Sequence, residues 1–158
     1  MDLSTRADIE APIGLVFDEL TNFTAFEKAA LRRGVEVARL DSRDVAGRGM
    51  QWRAVFPFRG RKRAMALKLE DFDRPARLRF DLDAASVTGE LLVDLLELSR
   101  STTRLTLKVR LRPLTLSARI LVQSMRLAKG RITGRMHDRL HLWALEVADR
   151  HRRGAGRG

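Results

Sequence analysis

The chain has 158 residues, no cysteine and a net charge of +11, from 31 Lys+Arg against 20 Asp+Glu. That length suits one domain with a real core; the lack of cysteine excludes disulfides and thiolate metal sites and fits a reducing, cytoplasmic setting. No apolar run approaches the roughly 20 residues that span a bilayer, and Asp2, Asp8 and Glu10 interrupt any basic-then-apolar leader, so the expectation is a soluble intracellular protein.

Asp2 to Glu10 alternates, with Leu3, Thr5, Ala7 and Ile9 on one face and Ser4, Arg6, Asp8 and Glu10 on the other; this predicts a half-buried strand. Ala11-Pro12 ends it, and proline suits the first turn of a helix. Ile13, Val16, Phe17 and Leu20 follow at helical spacing. Asn22 is placed to cap a second short helix carrying Phe23, Phe26, Ala30 and Leu31, which Gly34 ends. Strands are expected next over residues 35–40, 50–56, 64–71, 77–83, 87–98 and from Leu105 to Arg112. The fifth of these six is apolar on both faces after Glu90, as for a sheet interior with further cover outside. Short turns join them, which implies an antiparallel meander.

From Thr115 to Arg150 no proline intervenes and good helix formers dominate, predicting one long helix of roughly 50 Å. Ala118, Leu121, Met125, Ile132, Met136, Leu140, Trp143 and Val147 form its main apolar stripe. A weaker strip (Leu116, Ile120, Leu127, Leu145) suggests contact on two sides. Gly130 and Gly134, mid-helix, fit a bend, close approach of a strand or ligand, or simply a tolerated weak spot. Lys129, inside the stripe, is expected to snorkel outward. Residues 1–150 make one domain, and 151–158 read as a disordered basic tail.

The sum is an α+β fold. A curved antiparallel sheet of about seven strands, with two short helices after strand 1, wraps around a long C-terminal helix. That order resembles the START-like superfamily, also called SRPBCC or helix-grip, which includes polyketide cyclase-like proteins and lipid-transfer domains. The resemblance rests on STRADIEAPIGLVFDELTNFTAFEKAA, where a strand runs into Ala11-Pro12, Val16-Phe17 and a second helix, and on the strand count and final helix. Phe26 stands where the family pattern usually has a Trp.

The resemblance implies an apolar cavity between the concave sheet and the long helix, but no shared chemistry. Strand alternation then assigns Trp52, Phe56, Met65, Leu67, Phe80, Leu91, Val93, Leu107 and Val109 to the cavity wall. The helix contributes Met125, Ile132, Met136 and Trp143. Apolar periodicity alone fits a lined cavity and a filled core equally.

Polar candidates are few. Arg59, Arg61, Lys62 and Arg63 flank Gly60 in a turn that the resemblance places near the pocket mouth, where they would suit a carboxylate, a phosphate or an anionic headgroup. The same run also reads as a solvated loop tip. His137 and His141 share a helix face, but no third ligand accompanies them, so no metal site is assigned. Glu97 has inward parity near a strand end. No catalytic set and no cofactor are marked.

Three functions remain. The first is a carrier or binder of a small apolar or amphipathic molecule such as a lipid, isoprenoid or polyketide. The second is a cyclase or dehydratase using the same cavity. The third is a basic surface that binds nucleic acid or an anionic membrane. The absence of tyrosine, with seven Phe and two Trp, argues against base-stacking platforms for nucleic acid. Outward cations interspersed with Glu70, Asp81, Glu90 and Asp94 weaken the third reading further. The assembly is left as monomer or homodimer.

Overall fold

The computed structural model describes residues 1–155. In chain order the elements are β1 (Asp2–Ile9), α1 (Ile13–Leu20), α2 (Phe23–Arg32), β2 (Glu36–Arg39), β3 (Gln51–Phe58), β4 (Arg61–Asp73), β5 (Arg77–Asp83), β6 (Val87–Ser99), β7 (Thr102–Pro113), α3 (Leu116–Leu127) and α4 (Lys129–Ala155). The seven strands form one antiparallel sheet in the order β1-β7-β6-β5-β4-β3-β2. This is the α+β, helix-grip arrangement expected from the alternation and the element order.

Register makes one inner face out of every strand's apolar half. Thr5 pairs with Leu107 and Leu107 with Val93. Leu78 pairs with Val93, Phe80 with Leu69, and Leu67 with Trp52. Side chains alternate across a strand, so this chain of pairs keeps all of them on one side. Ile9, Leu69, Leu78 and Leu105 are sealed from solvent there, together with Val16 and Phe17 of α1 and Val147 of α4. Asn22 caps α2 as expected, its side-chain oxygen accepting from the Ala25 amide at 3.3 Å.

Four expectations change. First, the C-terminal helix is broken. Ala128 closes α3 with φ −102° and ψ 13°, its amide bonding back to Met125, and α4 begins at Lys129. Two glycines just beyond the break weaken a continuous helix there. A Cβ built on either Gly130 or Gly134 would meet nothing within 4 Å, so neither admits a closely approaching strand. Lys129 is exposed, as expected.

Second, α4 runs to Ala155, so residues 151–155, read as disordered tail, are helical; Arg153 pairs with Asp149 at 3.0 Å one turn back. Residues 156–158 of that tail lie outside the described residues. Third, the loop between β3 and β4 shrinks to Arg59 and Gly60. Both have positive φ, 51° and 76°, the geometry of a two-residue hairpin turn whose twist matches the flanking strands. Fourth, the expected cover outside β6 is missing at its end, where Leu96 and Leu98 are exposed.

Candidate functional site

The inner face divides into two halves. At the α1/α2 end it is closed. Trp52 packs edge-on against Phe23 (5.1 Å between centroids), and Phe80 lies 6.0 Å from Trp52. The Trp52 indole N–H donates to Glu27 Oε1 at 2.8 Å, which satisfies the one polar atom this ring brings inside. Trp52, Phe80 and Val93, assigned to a cavity wall by their alternation, therefore sit in packed core and form the floor of whatever opens beside them.

Toward the β3–β4 hairpin the same face loosens. Leu67, Leu91 and Leu107 are half-buried but still touch the core. Phe56, Met65 and Val109 are half-buried and outside the core cluster, as are Met125 of α3 and Ile132 and Met136 of α4. Trp143 lies between the two halves, half-buried, its ring 6.2 Å from that of Phe26. The strand residues expected to line a cavity share one side of the sheet, and ten of the thirteen expected residues are neither sealed nor free.

The hairpin borders the loosened half. Arg59 donates to Ser124 Oγ at 2.9 Å, tying the turn to α3. The Arg59 and Arg63 guanidiniums both lie over the Phe58 ring, at 5.5 and 5.4 Å. Arg63 is paired with Phe56, so it shares the parity of Met65 and is half-buried; Arg61 has the same parity, while Lys62 faces the outer side. The four cations are therefore not one loop tip. Only Arg59 is in the turn, and the other three are strand residues.

Polar groups near the inner face are sparse. Thr5, buried on β1, lies 3.2 Å from His137 Nδ1 on α4. The His137 and His141 rings stack at 6.1 Å. Thr133 falls at the centre of α4's buried face, one helical turn from His137, and its Oγ1 is buried without a hydrogen-bond partner. Among the described residues no group of three or more His, Asp and Glu is placed to hold a metal ion. Glu97 is exposed at the end of β6. The carboxylates held below their ordinary pKa lie elsewhere. Asp8 accepts from Arg104, and Asp71 from Arg79, on the outer side. Asp41 accepts from Arg39 and from the Gln51 and Arg43 amides in the β2–β3 loop.

A separate concavity of about 750 Å³ is lined mostly by outer-face residues, including Lys68, Arg79, Asp81, Glu90 and Arg110. Arg79 pairs there with Asp81 at 2.6 Å and reaches Asp71 beside it at 2.8 Å. Its lining mixes charges of both signs with apolar side chains, unlike the apolar inner side. No helix among the described residues is long and apolar enough to cross a membrane.

Sequence pattern located the inner face. It missed Thr133 and the Thr5–His137 contact. The latter joins residues 132 positions apart, and no spacing rule signals it.

No protein-family model matches the chain, and no curated protein matches it by sequence. Solved structures do match in shape. The Zhui aromatase/cyclase from Streptomyces sp. R1128 superposes with a TM-score of 0.69 at 14% identity, over 99% of this chain and 98% of that one. The protein TTHA0849 from Thermus thermophilus gives 0.66 at 15% identity, over 98% and 99%. A START superfamily protein from Mycobacterium smegmatis gives 0.57 at 10%, over 85% and 95%. At such identities the likeness carries the fold, and the fold is START-like.

Proposed function

We propose that this protein binds a small hydrophobic or amphipathic molecule between the loosened half of the inner sheet face and the helices α3 and α4. The observation that carries the reading is the contrast along a single face. One half packs to exclusion of solvent, while Phe56, Met65, Val109, Met125, Ile132 and Met136 are held apolar and half-open beside it. Leaving six such side chains part-wet costs roughly 25 cal/mol for each Å² not buried, and an apolar ligand recovers that burial. Methionines on both helices give an adaptable wall.

The likeness to an aromatase/cyclase and a START superfamily protein agrees with such a role for the fold. A catalytic use of the same space has less support. Its acid–base material is the Thr5–His137 pair, and the carboxylates with depressed pKa hold arginines on the outer side or in a loop.

The test is displacement of a fluorescent naphthalene sulfonate probe by a panel of fatty acids, isoprenoids and aromatic polyketides, on wild type and Val109→Trp. If the groove is open, the added ring fills it. Stability then changes by less than about 1 kcal/mol, and probe and ligand binding drop at least tenfold. If Val109 already sits in packed core, overpacking costs about 1–3 kcal/mol, and that result contradicts the proposal.

A further inference from the structure

α3 is apolar on two opposite sides. Ala118 and Val122 face the protein and are buried. Leu116, Ile120 and Leu127 lie within about 40° of one another on the far side at 100° per residue. They are 74%, 62% and 92% exposed, which no packing within this chain explains. Arg119 and Arg126 border this stripe along one edge, both exposed. Along the other edge Arg59 reaches Ser124, which brings the basic hairpin alongside.

The charge around the stripe has one sign. From Leu98 to His137 the chain has ten Lys and Arg and no Asp or Glu, and no acid occurs from Val45 to Leu69. Among the described residues, none of Arg59, Lys62, Arg119 and Arg126 is in an ion pair. Some arginines elsewhere on the surface are matched, as in Arg77–Asp94, Arg104–Asp8 and Arg150–Glu19, and others among the described residues, such as Arg53 and Arg112, are not; what sets this region apart is the run of cations free of acids beside an apolar stripe.

We propose that the outer face of α3, with the β3–β4 hairpin beside it, docks on an anionic phospholipid bilayer. The leucine and isoleucine side chains enter the acyl boundary while the flanking arginines meet the headgroups. Charge decides among the occupants. A second copy placed face to face across a two-fold axis would set these unpaired cations against their own duplicates. Nucleic acid would satisfy the cations but leave three aliphatic side chains against phosphate and sugar, with no aromatic to stack. An anionic bilayer meets both requirements. The inference does not depend on occupancy of the inner groove. If that groove is filled, docking places its Met125 wall one helix thickness from the lipid.

Vesicle flotation with the full chain tests it, using phosphatidylcholine vesicles with and without about one-third phosphatidylglycerol. We expect binding to the anionic vesicles only, weakening steeply as salt rises. Ile120→Glu with Leu127→Glu should lower it at least tenfold. Arg119→Glu with Arg126→Glu should lower it about fivefold for each charge removed. All four side chains point to solvent, so circular dichroism and melting should match wild type. Three results would each overturn the proposal. One is equal binding to neutral vesicles. Another is loss in the arginine variant with none in the apolar one. The third is an apolar variant that changes only oligomeric state in sedimentation, leaving vesicle binding intact.

Discussion

Thr133→Val replaces one oxygen at the middle of α4's buried face with a methyl group of similar size. In the folded protein that oxygen is buried without a protein hydrogen-bond partner. Leaving a buried hydroxyl unmatched costs about 1–3 kcal/mol. Thr and Val have nearly the same helix propensity, so the change isolates the oxygen. The residue as a whole is half-buried, which places the expected gain near the lower end, about 1 kcal/mol. For a chain of this size that raises Tm by about 2–4 °C. Urea unfolding followed by far-UV circular dichroism should show a higher midpoint with an unchanged slope. Thr133→Ser, which keeps the hydroxyl and loses a methyl, should instead be less stable than wild type by about 0.8 kcal/mol. A valine variant no more stable than wild type would refute the orphan hydroxyl.

The acid limb of stability should depend on the paired aspartates. Asp8, Asp41 and Asp71 all have folded pKa values below the ordinary carboxylate value. Their contribution is therefore present above about pH 4 and lost as pH falls through the folded values. Asp41→Asn should lower stability at neutral pH and flatten the pH dependence below about pH 4, where the two proteins converge; a constant offset down to pH 2 in parallel denaturation curves would contradict this. Gly89→Ala tests the sheet. A Cβ there would lie 2.4 Å from the Arg110 backbone oxygen and 3.1 Å from Leu111 Cδ2, so β6 and β7 must part. A loss of about 1–3 kcal/mol is expected in thermal unfolding, and an unperturbed Tm would show that the two strands are not so closely apposed.

Strand positions were legible because each strand has one buried face and the period of two is unambiguous: in β1 every second residue from Leu3 to Ile9 is buried. Helix continuity was not. Gly130 and Gly134 marked the stretch as weak, but the break falls at Ala128, itself a good helix former, and one residue's dihedral angles leave no compositional mark of their own. The hairpin misled for a related reason. Gly60 announces a positive φ, but Arg59 beside it does not. The second apolar strip on the C-terminal helix was legible, yet its partner was not. Leu116, Ile120 and Leu127 read as contact on two sides, whereas this chain supplies only one. Open and filled interiors have the same alternation, so the division of the inner face at Trp52 and Phe80 emerged only from packing. Arg63 had the parity of Met65 all along, but a basic run of four reads as a loop before its register is known.

The most direct test of the account is native mass spectrometry of protein purified from its own cells, followed by solvent extraction and identification of what is released. The account predicts a reproducible small apolar or amphipathic molecule, bound one per chain, lost on denaturation and missing from Val109→Trp prepared in the same way. A mass equal to the bare chain, together with no thermal shift from fatty acids, isoprenoids or aromatic polyketides, would contradict it.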